Sequence, residues 1–454
     1  MADVTVEVED SVIYYCREKL FRTMQIAAVQ GMNRHSGDPI YKLYYYISLI
    51  HEARDSEATD GLAEIANFPS VSLACTILLY HLRNGFINFD QVFSSQVVKD
   101  KRSNAGDIAM YIAGVVMILL NKPEKARPLF IQPSLTGSDS LRKRTSILLG
   151  WIELLAYYEP SSKETLKYFE NADNSSPEVV FGHAKYFEKE GNFIKALEHL
   201  SQGSVLFPNY PPVFIEKMKI HVTLKDWDEA MLAADRALFL DENCIEALRF
   251  TVIHMLTQGA ESEEIEEKLK TLFFTMSKGE PRNSDLFCET AQLISGLSGL
   301  HKPILEYTYS MARNACDFNP TEPDTNAEFG YQCLHLRKFK KAQAIFENHA
   351  CERSISGFLL CLVYQEEIEK AVEHIKIYQQ LQTEMKPDVL YLHAFVEDKV
   401  KGSSDTIVDY LAKSLKLYLE SLKDIPWSIS FYRLLQPKFV HDVFKLFIMH
   451  IPHK

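Results

Sequence analysis

The sequence predicts an all-α protein, an α-α solenoid of stacked helix pairs wound as a right-handed superhelix, and three observations carry that prediction. One pattern occurs twice across residues 177–243, offset by 34 positions: Phe193 recurs as Trp227, Ala196 as Ala230 and Gly203 as Ala237. A fixed period in this range marks a stacked repeat array, and about 34 residues is the tetratricopeptide period. The 454 residues are many for one closed core but natural for an array that grows by adding units. At that period there is room for about 13 helix pairs. Only 18 Gly and 18 Pro occur, and no low-complexity tract interrupts the pattern, so no long flexible linker is expected.

Taken in order, the chain opens with Val4, Val6 and Val8 alternating in an acidic leader, and helical spacing is expected only after Asp10-Ser11. Tyr14, Phe21, Met24, Ala28 and Gly31 then follow repeat spacing. Asp38-Pro39 opens the next unit as N-cap and first helical residue, where the missing N–H of proline does no harm. Residues 71–105 are the least regular, with breaks expected at Asn84-Gly85 and Lys99–Asn104. Order returns at Ala113-Gly114, with Ala126 and Phe130 in the second helix. Gly150-Trp151 and Leu166–Phe169 form another pair with a longer turn at Glu159–Ser162, and Ser176-Pro177 starts the clear tandem.

Within the tandem, Ala184, Ala196 and Gly203 are small enough to let paired helices cross closely. Phe187, Phe193, Leu200, Phe214, Trp227 and Leu238 are expected to fill the space between repeats, since one pair cannot cover its own apolar face. Asp226 is a cap for the following helix, with Glu229 completing a capping-box spacing. Ile245–Met255 with Glu263–Met276, Leu286–Leu297 with Pro303–Ala315, and Ala327–Leu334 with Phe339–Phe346 continue the series. A shorter unit around Ala371 and a longer one over Val389–Leu422 follow. By regularity the chain divides into degenerate repeats at 1–105, regular repeats at 106–281, divergent repeats at 282–425 and a helical end at 426–454. That end is apolar at Phe444–Ile451, whereas a solenoid normally closes on a polar cap. It reads either as cut short relative to a longer parent or as docked on a partner.

Composition excludes several function classes. A formal charge of −12 lacks the basic footprint that general nucleic-acid binding needs. The longest apolar stretch, Ile108–Leu120, is too short to span a bilayer, which takes about 20 residues. The opening residues lack a basic-then-apolar signal, so a soluble intracellular protein without membrane insertion is expected. No phosphate-binding glycine loop, zincin motif, nucleophile elbow or kinase signature occurs, and no catalytic or cofactor-binding residue stands out. The 8 cysteines form no CxxC, and Cys333/His335 with His349/Cys351 lack the paired second half of a zinc site.

One binding signal rises above this background. First helices of such repeats line the inner surface, and their inward positions hold Lys185, Lys189, Lys219 and Arg249. This basic ladder in an acidic protein is a candidate contact for an acidic partner peptide through charge-assisted hydrogen bonds. The lysine–asparagine clamp of chaperone-binding repeat proteins is not reproduced at these positions.

Ile13–Phe21 (IYYCREKLF), with the run on to Ser36-Gly37-Asp38-Pro39, resembles the opening of the tetratricopeptide repeat protein 21 family. Leu166–Glu170 (LKYFE), Phe207-Pro208, Lys217–Lys219 and Asp226–Asp228 match in order. So do Asn319–Thr321, Phe329–Tyr331, Tyr391–Ala394 and Leu435–Phe439. The resemblance implies a non-catalytic scaffold of intraflagellar transport complex A. Such a subunit works with dynein to return cargo from ciliary tip to base, affecting membrane-protein traffic and Hedgehog signalling. It also implies other complex A subunits and ciliary cargo adaptors as partners, and a location in the cytoplasm and at the ciliary basal body and axoneme. Family members continue far beyond residue 454. A cytosolic repeat adaptor for chaperone or vesicle cargo is the other reading that the repeats allow.

Overall fold

The starts of the helices follow from the caps that the sequence supplies. Asp38 accepts the Ile40 amide at 3.0 Å with Pro39 at the first helical position, and Ser176 accepts that of Glu178 at 3.2 Å with Pro177 placed likewise. Asn192 and Asp226 accept the amides of Lys195 and Glu229 at 3.2 and 3.5 Å. Each cap satisfies one of the amides that a helix start leaves without an internal partner. The computed structural model describes residues 6–156, 163–172, 175–349, 351–381 and 386–450, and among these 27 helices and no strand occur.

Two compact units result, residues 1–244 and 245–454. In the first, α1 (Val8–Arg17) pairs with α2 (Phe21–Arg34) and α3 (Pro39–His51) with α4 (Asp55–Ile65). Next, α5 (Ser72–Arg83) is backed by the short α6 (Phe89–Ser94) and α7 (Gln96–Ser103). The pairs α8 (Asp107–Leu119) with α9 (Pro123–Thr136) and α10 (Asp139–Ala156) with α11 (Lys163–Glu170) follow. The tandem supplies α12 (Pro177–Lys189) with α13 (Phe193–Leu206) and α14 (Pro211–Leu224) with α15 (Trp227–Leu240).

Three local expectations need correction or fall away. Helix α1 starts at Val8, not after Ser11, because Val8 and Val12 are both buried and need one continuous helical face. The stretch Lys99–Asn104 is helical through Ser103, since Ser95 caps α7 and Asn104 terminates it. The turn Glu159–Ser162 lies outside the described residues.

Small residues sit at the crossings as the repeat physics demands: Ala196, Ala230 and Ala237 are wholly inaccessible. Phe169 shows why glycine is needed on the neighbouring helices. A Cβ on Gly150 would lie 2.7 Å from its ring, and one on Gly182 would overlap it. In the second unit Phe346 sits in the same way between Gly330 and Gly357. Of the large tandem residues only Leu200 is fully enclosed; Phe187, Phe193, Phe214, Trp227 and Leu238 are half-buried. The enclosed volume goes to Phe169, Phe181 and Phe207 instead, while Phe187 and Phe214 lie under the cations of Lys195 and Arg236.

The second unit runs α16 (Ile245–Gln258) with α17 (Ser262–Gly279), α18 (Ser284–Leu297) with α19 (Lys302–Phe318) and α20 (Pro323–His335) with α21 (Phe339–Asn348). It continues with α22 (Glu352–Tyr364), α23 (Ile368–Leu381), α24 (Pro387–Lys399), α25 (Ser404–Leu422), α26 (Ile429–Leu434) and α27 (Pro437–His450). Helix α26 turns back onto α18, where Arg433 meets Glu289 at 2.8 Å, and α27 packs on α24 and α25. Val443 and Leu446 of α27 are buried with Ala394, Ile407 and Leu411, while Phe444, Ile448 and Met449 stay open. The apolar end is therefore covered on one face. The segmentation by repeat regularity and the division by compactness differ: the latter falls between α15 and α16, inside the regular stretch.

Candidate functional site

The inner face of the first unit gathers its buried charges, and α1 lies across it. Val12, Ile13 and Tyr14 are buried there, and polar side chains of α1 reach one first helix after another. On α3 and α8, the hydroxyls of Tyr44 (2.7 Å) and Tyr111 donate to the Glu9 carboxylate. On α10, Arg144 approaches Glu7 at 3.4 Å and Glu9 at 3.9 Å. The Ser176 hydroxyl donates to Asp10 at 3.1 Å. On α12, Glu178 accepts both guanidinium arms of Arg17, at 2.7 and 3.2 Å. On α14, Glu216 accepts the Tyr14 hydroxyl at 3.0 Å, and Lys219 bridges Glu18 and Glu216 at 2.7 Å each.

Arg17 is the centre of this set. Its guanidinium stacks 4.0 Å above the Trp151 ring, and the Trp151 indole donates to the Glu178 carbonyl at 3.2 Å. Planar bidentate pairing with a carboxylate is what arginine does and lysine, a point charge, does not. Burial raises the Glu178 pKa, and Arg17 pulls it back down. Asp10 is raised well above its ordinary value by burial first, then by Glu178 and Glu9. Burial works against the Lys219 ammonium, but Glu18 and Glu216 outweigh it and hold the proton more firmly than usual.

The predicted basic ladder divides accordingly. Lys219 is committed to the chain's own α1 and α14, so the acidic segment it meets is internal. Lys185 pairs with Glu188 at 2.9 Å within its own helix, and Lys189 donates to the Leu154 carbonyl. Arg249 belongs to the second unit, on α16. Arg17, Glu178 and Glu216 were not singled out from the sequence, because their partners lie 161 to 202 positions away.

Burial pushes the thiols of Cys16, Cys75, Cys288, Cys316 and Cys361 up to about 12, which leaves them protonated and unreactive. Gln332, fully buried, accepts from Thr308 and donates to Ser295 and Glu328 at 2.7–2.8 Å, and Glu328 meets Arg353 at 2.6 Å. Burial drives His335 down to about 4. Among the described residues no cluster of three His, Cys, Asp or Glu is placed to hold a metal, and no helix is long and apolar enough to cross a membrane.

Two family models together match most of this chain. The tetratricopeptide repeat protein 21 N-terminal ARM repeat covers residues 12–231, and the second ARM domain of the same protein covers residues 267–454. The chain belongs to the tetratricopeptide repeat protein 21 family. Tetratricopeptide repeat protein 21B of Homo sapiens is 27% identical over 458 residues, which covers 98% of this chain and 35% of the relative. That of Xenopus laevis is 25% identical over 465 residues, covering 100% and 35%. Tetratricopeptide repeat protein 21A of Mus musculus is 25% identical over 457 residues, covering 97% and 34%. This member thus spans about a third of the length of the relatives it matches. Membership makes it a repeat scaffold.

Proposed function

We propose that this chain is a non-enzymatic subunit of intraflagellar transport complex A, holding other subunits in place for retrograde ciliary transport and ciliary membrane-protein traffic. The observation that supports it most is the pair of family matches, at 12–231 and 267–454, in the family's own order. The physics agrees with a passive role. Buried ion pairs and hydrogen-bonded polar side chains favour one rigid arrangement over the alternatives, as a fixed arm between partners requires. Its partners are other complex A subunits and ciliary cargo adaptors, its location the cytoplasm and the ciliary basal body and axoneme, and it needs no cofactor.

The test is affinity capture of the tagged chain from ciliated cells, read by mass spectrometry, with the tag imaged in parallel. Co-purified complex A subunits and signal at basal body and axoneme are expected. A diffuse signal with chaperones or vesicle coat proteins in the capture would replace this reading with the cytosolic adaptor.

A further inference from the structure

In the first unit the second helices carry large apolar side chains that are mostly exposed. On α15, Asp228, Leu232, Asp235 and Phe239 follow one another at helical spacing and share one outward stripe. Leu232 is 61% and Phe239 79% exposed. On α13 the residues 34 positions earlier, Ile194, Glu198, Ser201 and Val205, hold the same stripe, and Ile194 and Val205 are 69% and 67% exposed. Leu206 adds to the open apolar surface where α13 ends. Beyond the end of α13, the Pro208 carbonyl accepts from Arg236 of α15 at 3.2 Å.

The exposed charge on these two helices is mainly acidic, four carboxylates against the one cation of Lys195. Glu198, Asp228, Glu229 and Asp235 are exposed. The cations beside them are turned onto rings of the same chain: Lys195 lies 5.3 Å from the Phe187 ring, and Arg236 lies 5.6 and 5.3 Å from those of Phe214 and Phe239. The inner face, where repeat proteins of this kind ordinarily take a peptide, is occupied by α1. Exposed apolar side chains rimmed by polar groups mark interaction sites.

We propose that the α13–α15 ridge docks a basic amphipathic helix of a partner protein. The apolar face of that helix covers Ile194, Val205, Leu232 and Phe239, and its Lys or Arg residues meet Glu198, Asp228 and Asp235. Aromatic anchors dominate such contacts, so Phe239 is the residue on which binding depends most. The proposal stands apart from the ciliary reading and is tested without it.

The probe is a fluorescein-labelled helix of about 18 leucines and lysines at amphipathic spacing, some 27 Å long and able to run over both helices. Anisotropy titration against the full chain is expected to show saturable binding, weakened about tenfold or more by Phe239→Ser and by Asp235→Lys. Ile131→Ser, on the outer face of α9, is expected to leave binding unchanged. Because Phe239 and Asp235 are exposed, the variants are expected to melt with the parent. Absence of binding, equal binding by the Phe239→Ser chain, or equal binding of a leucine–glutamate helix overturns the proposal. A dimer of the free chain that Phe239→Ser dissolves also overturns it, and assigns the ridge to a second copy.

Discussion

Replacing Arg17 by methionine keeps the apolar stem and removes the charge that Glu178 faces. Glu178 is 1% exposed at its side chain and Arg17 18%, so the carboxylate is left deep in the unit with no counter-charge. Breaking a buried pair from one side costs about 3–5 kcal/mol, and the contact with the Trp151 ring at 4.0 Å lies within that loss. For a unit of 244 residues, about 2–4 °C per kcal/mol gives a fall in melting temperature of about 6–20 °C. The pH dependence has a definite sign. Without Arg17 the folded pKa of Glu178 rises further above its unfolded value, so the charged form destabilises above that pKa and the deficit shrinks as pH falls through it. Arg17→Met with Glu178→Gln removes both charges and is expected to recover most of the loss. Calorimetry of the full chain between pH 5 and 8 reads all of this. An Arg17→Met melt within about 0.5 kcal/mol of the parent, or a double variant no better than the single, refutes the reasoning.

Two other substitutions probe the same architecture. Asp10 has one carboxylate oxygen without a hydrogen bond and a pKa raised chiefly by burial. Asp10→Asn is therefore expected to stabilise at pH 7 by on the order of 1–3 kcal/mol. Because the raised pKa penalises only the ionised form, the gain should fade on acidification, and a loss at pH 7 would contradict it. Gly182→Ala forces a Cβ into the Phe169 ring and is expected to cost about 1–3 kcal/mol by urea unfolding. Gly279→Ala, at the end of α17 where a Cβ would meet only Ile245 Cδ1 at an ordinary 3.8 Å, is the control and is expected to stay close to the parent.

What could be read from the sequence was what depends on neighbours along the chain. Asp38-Pro39, Ser176-Pro177 and Asp226 mark helix starts because a cap is a contact between residues two or three apart. The 34-residue offset gave the crossings at Ala196 and Ala230 for the same reason. The seat of α1 could not be read, because Arg17, Tyr14 and Glu18 meet partners on α12 and α14 that no local pattern announces. The inward lysines illustrate the limit: their positions on first helices were legible, but that Lys219 is already answered by Glu18 was not. Likewise Trp227 has the spacing of a core aromatic yet lies half-buried, since spacing assigns a face and not the depth of what covers it.

The inner face of residues 1–244 is filled by the chain's own first helix. Hydrogen–deuterium exchange of the full chain tests it most directly, because an amide in a packed helix exchanges only through opening of the structure around it. Peptides over Val8–Arg17 are predicted to exchange as slowly as those over α12 and α14, and to become fast together in the Arg17→Met chain. Complete exchange of Val8–Arg17 within seconds, while α12 and α14 stay protected, would mean that α1 does not hold that face.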